Sequence, residues 1–71
     1  MADGETELAM ARRHVSEGEA RLARQTAIVA EMDRARHRGR TVALGRELLE
    51  TIRTTLEMQR QHLRQIEERL R

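Results

Sequence analysis

Two runs of side chains at alternating steps of three and four residues constrain this chain more than any other feature. The first is Leu8, Ala11, Val15, Gly18, Leu22, Gln25, Val29 and Met32; the second is Val42, Gly45, Leu49, Ile52, Leu56, Gln59, Leu63, Ile66 and Leu70. Such steps stay close to the turn of an α-helix, so each run forms one stripe along a helix. The phase breaks at residues 37 to 41, where Gly39 suits the left-handed backbone that ends a helix and Thr41 suits the cap of the next. Asp3 and Thr6 are candidate caps for the first helix, and Glu5 and Glu7 favour the positive end of its dipole. The spacing therefore predicts an N-terminal tail and cap over 1–6 and one helical hairpin domain over 7–71. Within it, helix 1 covers about 7–37, the turn about 38–40 and helix 2 about 41–70. Each helix of about 30 residues would be roughly 45 Å long.

So short a turn makes the helices antiparallel neighbours. Residues equally far from the turn then share a height, which places Met32 by Gly45, Leu22 by Leu56 and Val15 by Leu63. Glycine in a helix interior costs roughly 1 kcal/mol relative to alanine. Gly18 on the stripe therefore implies a close approach of the two helices. Gln25 and Gln59 interrupt the stripes. A buried polar residue on such a seam fixes register or oligomeric state; exposure beside a loosely packed stretch is the alternative.

The all-α reading agrees with composition, which lacks proline and is rich in Ala, Leu, Glu, Arg and Gln. At 71 residues, with no Cys, Phe, Tyr or Trp, the chain has no disulfide, no thiolate metal site and none of the side chains with the largest buried areas. A lone core of this size supplies only a few kcal/mol, so association is the remaining way to bury surface. A second stripe of Leu44, Leu48, Thr51, Thr55, Met58 and His62 flanks helix 2, and Ile28 and Ala35 flank the stripe of helix 1. A single hairpin leaves this stripe in water. The expectation is a two-fold homodimer forming a four-helix bundle, with Ile28, Leu44, Leu48 and Met58 at its interface; docking on a different protein is the alternative.

Opposite charges sit three or four apart at Arg13/Glu17, Glu17/Arg21, Arg46/Glu50, Arg53/Glu57 and Arg64/Glu68, which reads as solvated faces. No apolar run is long enough to cross a bilayer, and the start MADGETE is acidic where a leader would be basic. A cytoplasmic location without a membrane partner is expected.

Little in the sequence suggests catalysis. His14, His37 and His62 are preceded at three residues by Ala11, Arg34 and Gln59, where a di-metal bundle site needs glutamates. Nor do the segments after His14 (VSEGE) and His62 (LRQIE) fit the phosphoacceptor pattern of sensor-kinase hairpins. There is no nucleophile with a base, no carboxylate pair and no phosphate-cradling loop, so no catalytic, metal or cofactor residue is assigned and no enzyme is expected.

The net charge of +2 is unevenly placed, since Arg34, Arg36, Arg38, Arg40 and Arg46 occupy residues 34–46 with no acid among them. Five arginines at one end would attract a polyanion. Yet modules for single strands stack bases on aromatics, which this chain lacks, and the same arginines suit the negative end of helix 1. The sequence thus points to a non-enzymatic helical interaction module, regulatory or adaptor in role, with an unknown protein partner. Accessory nucleic-acid binding through the arginine-rich turn is the alternative.

His14, Val15, Gly18 and Glu19 stand at the opening of the first helix, Arg24 and Gln25 in its middle, and Leu56 and His62 toward the end of the second. In these residues the stretch from 12 to 66 resembles a family of short alphaproteobacterial helical-hairpin proteins of unknown function. Members often have a Gly-His-Asp-Thr turn, whereas ARHRGRT keeps the glycine and threonine and has arginine in place of the acid. The resemblance implies a helical hairpin and no activity.

Overall fold

A computed structural model describes residues 5–35 and 39–71. Helix α1, Glu7–Arg34, and helix α2, Arg40–Arg69, run antiparallel and pack along their length as a hairpin about 49 Å long.

The first helix starts as the sequence predicts. Thr6 is extended (φ −77°, ψ 164°), and its hydroxyl accepts the Ala9 N–H at 3.0 Å, which satisfies one of the donors left free at a helix start. Asp3, the other candidate cap, lies outside the described residues.

The turn differs from expectation. Helix α1 closes at Arg34, and Ala35 caps it in right-handed geometry with its N–H on Glu31 O at 2.9 Å. Gly39 therefore does not end α1. It takes φ 73°, open to glycine alone at little strain, and its carbonyl accepts the Ala43 N–H at 3.0 Å to begin α2. Because Gly39 already turns the chain into the helix, Arg40 is its first residue and Thr41 falls inside the first turn, not at the cap. Arg36, His37 and Arg38 lie outside the described residues.

The two stripes meet as the core. Leu56 (1% exposed) and Ile66 are its most buried large side chains, joined by Ala11, Val29, Val42 and Leu49. Leu70, on the same stripe, is exposed at the open end of the hairpin, just past the end of α2 and beside the start of α1. Glycines set how near the helices come. A Cβ on Gly45 would lie 3.1 Å from Met32 Sδ and 3.7 Å from Val29, so Met32 stands over Gly45 as the spacing predicts. On Gly18 a Cβ would lie 3.0 Å from Leu56 Cδ1 and 2.6 Å from Gln59 Oε1. Leu56 thus stands against Gly18, one turn from the Leu22 that equal heights suggested.

The two glutamines answer the question left by the stripes. Gln25 is buried, and its Nε2 donates to Gly45 O at 2.9 Å across the seam. Gly45 offers that carbonyl because no side chain covers it. Gln59 is half-buried over Gly18, with its Oε1 out of solvent and without a hydrogen-bond partner among the described residues. Each seam glycine therefore faces a glutamine of the other helix, one pair bonded and the other not.

Opposite stability effects follow. Gly18→Val should lower stability by about 1–3 kcal/mol, the cost of overpacking, because its methyls meet Leu56. Gln59→Leu should raise it by about 1–3 kcal/mol by removing an orphaned buried acceptor. Urea unfolding followed by helix ellipticity measures both.

Candidate interaction surfaces

Cross-helix ion pairs fix which residues share a face. Arg60 Nη2 donates to Glu19 at 3.3 Å and Arg46 Nη2 to Asp33 at 3.0 Å. Fourteen residues along α1 thus match fourteen back along α2, on one broad face of the hairpin. Arg69 Nη2 donates to Glu7 at 3.1 Å and marks the opposite face. Stepping from that pair by sevens brings His14 level with His62, Arg21 with Thr55, Ile28 with Leu48, and Ala35 with Thr41.

The two faces have different chemistry. On the Glu19/Arg60 face, α2 presents Arg46, Glu50, Arg53, Glu57, Arg60, Arg64 and Glu67. On the other, α2 presents Thr41, Leu44, Leu48, Thr51, Thr55, Met58, His62 and Gln65, with no acid or arginine among these eight. Leu44 (56% exposed), Leu48 (50%) and Met58 (64%) stand open there, with Ile28 (41%) level with Leu48. All four side chains singled out by the sequence as an interface are thus on one face and exposed. The α1 half of that face is mixed, with Met10, Glu17, Arg21, Arg24 and Glu31 around Ile28.

The arginine turn is less bare than its sequence implies. Arg34 pairs with Glu31 and Arg46 with Asp33, acids just upstream of the segment that contains no acid of its own. Arg40 opens α2, and Arg36 and Arg38 lie outside the described residues. Other surface pairs also depart from the i,i+4 expectation. Arg13–Glu17 forms at 3.4 Å, but Arg53 turns back to Glu50 at 2.8 Å and leaves Glu57, while Arg46 crosses to Asp33 and leaves Glu50. Among the described residues Glu17–Arg21 and Arg64–Glu68 make no ion pair. Exposed pairs are worth so little that a long arginine takes whichever carboxylate its rotamer reaches.

One contact has no helical spacing to announce it. Glu5 precedes the helix and folds back along it, so that Arg13 Nε and Nη2 donate to its two oxygens at 3.0 Å each. These bonds, with the charges of Arg13 and His14, hold the Glu5 carboxyl below the usual glutamate range, and the Arg13 guanidinium is raised in turn.

Among the described residues no three His, Asp or Glu side chains gather where they could hold a metal ion. The hollows at the open end, lined by Thr6, Glu7, Leu8, Ile66, Arg69 and Leu70 or by Glu7, His62, Gln65, Glu68 and Arg69, are surface grooves. No described helix is long and apolar enough to cross a membrane. In comparison with known proteins, no family model, curated protein or solved structure matches the chain.

The Glu5 clamp sets a sign for pH. Its folded-state pKa is depressed, so the stabilisation it gives is present above the ordinary glutamate pKa and fades as pH falls through the lowered one. NMR titration should find Glu5 protonating below an unperturbed glutamate, and Arg13→Ala should return it to the ordinary range.

Proposed function

We propose that this chain is a non-enzymatic helical interaction module whose first partner is a second copy of itself, the pair acting as a regulatory or adaptor element toward a further protein. The observation that carries the reading is the uncharged, half-exposed stripe of Leu44, Leu48 and Met58 with Ile28, opposite a face bridged by ion pairs. Apolar side chains arranged in a continuous stripe favour removal from water, and each fully buried one contributes roughly 1.5–3 kcal/mol. A charged face gives no such drive. Covering the stripe with a second copy makes a homodimer of four helices.

Nucleic-acid binding through Arg34, Arg36, Arg38, Arg40 and Arg46 is the less favoured reading. Arg34 and Arg46 are already engaged by acids, which reduces the positive field a phosphate backbone would meet. No membrane partner or catalytic role is part of the proposal.

Sedimentation equilibrium tests it. The wild-type chain should give a dimer mass that changes little with salt, since apolar contacts are not screened. Leu48→Glu should give a monomer of unchanged helicity, because the residue is exposed in the hairpin and buried only in the pair. A wild-type monomer would sink the reading, and a complex with a DNA duplex that persists at moderate salt would favour the alternative.

A further inference from the structure

We infer that the two copies pair α2 against α2 with the helices antiparallel, about a two-fold axis that passes between Thr51 and Thr55, so that the two arginine turns lie at opposite ends of the dimer. This rests on the reading above, that the apolar face takes a second copy.

The first support is the stripe itself. Leu44, Leu48, Thr51, Thr55, Met58 and His62 are spaced by four, three, four, three and four residues, the same read in either direction. Turning one copy about the midpoint sets Leu48 on the partner's Met58, Thr51 on the partner's Thr55 and Leu44 on the partner's His62. A two-fold contact must be self-complementary in this way. The small threonines fall where the helices cross most closely, with the large apolar side chains on either side.

The second support comes from the rejected arrangement. With both turns at one end, α2 of one copy lies over α1 of the other, and residues level with each other meet. Leu44 would then cover the partner's Glu31, Thr51 the partner's Arg24, and Met58 the partner's Glu17. Burying those charges against apolar groups is unfavourable. The antiparallel pairing instead sets α1 over α1 at the rim, where Arg24 is level with the partner's Arg21, Ile28 with the partner's Glu17 and Glu31 with the partner's His14. Arg21 and Arg24 of both copies come near the axis there, so the rim stays wet and the contact centres on α2.

The third support is the charge at the ends. In the sequence the turn half, residues 21–55, carries eight arginines against four acids, while the open half, residues 1–20 and 56–71, carries eight acids against six arginines. Antiparallel copies lay the net positive half of one beside the net negative half of the other, whereas parallel copies set like charge beside like.

The test is an intermolecular distance. The chain contains no cysteine, so Arg40→Cys carries a single spin label. Residue 40 is thirteen residues from the midpoint, which gives a label separation of about 40 Å in the antiparallel dimer and under about 20 Å in the parallel one. A dipolar distance near the longer value supports the inference. A dimer with the shorter value overturns it and leaves the homodimer standing, whereas a monomer without intermolecular coupling overturns the homodimer as well. A second variant reads the same contact by mass. Leu48→Glu and Met58→Arg should each dissociate the dimer, and together in one chain they should restore it, because each new charge then meets its opposite on the partner; a doubly substituted chain that stays monomeric counts against the pairing.

Discussion

The close approach of two helices at Gly18 and Gly45 is the constraint from which the remaining features follow. A chain without aromatics or disulfides has few ways to hold two long helices together, and bare backbone on each lets the other's side chains come within van der Waals reach. Met32 and Gln25 both use the space over Gly45, one by contact and one by a hydrogen bond to its carbonyl. A slip by one turn would leave the buried Gln25 amide without that acceptor, at a cost of about 1–3 kcal/mol. Register is therefore held by a polar contact inside an apolar seam.

Once register is fixed, the faces are fixed. It brings Glu19 to Arg60 and Asp33 to Arg46 on one side, and it gathers Ile28 with the uncharged flank of α2 on the other. The ion pairs themselves add little, being exposed. Their value is in marking which side is charged. The uncharged α2 flank is where the proposed association would rest, and its symmetric spacing would give that association a direction.

Much of this was legible in the sequence, and the parts that were not share a cause. The stripes gave the hairpin, the Thr6 cap and the placement of Met32 over Gly45, because heptad spacing and short-range capping are local properties. That Ile28, Leu44, Leu48 and Met58 stand exposed on one face was legible too, since the second stripe follows the same period. What was missed lies across the seam or outside the helical period. Asp33 on Arg46 and Glu19 on Arg60 are not three or four apart in sequence, and Glu5 on Arg13 joins a residue before the helix to one in it. The roles of Gly39 and Thr41 were displaced because a glycine suits both the end of one helix and the start of the next. Only the backbone geometry, with φ 73° and the Ala43 N–H on its carbonyl, shows which.

The most direct measurement of the central claim, that one face meets a second copy and the other meets water, is paramagnetic relaxation of side-chain methyls by an inert soluble probe. At concentrations where the chain associates, the methyls of Leu44, Leu48 and Met58 should be shielded, while those of Ala23 and Ala43 on the opposite face are relaxed fully. Dilution should remove the difference. Equal relaxation of both sets at every concentration would contradict the account.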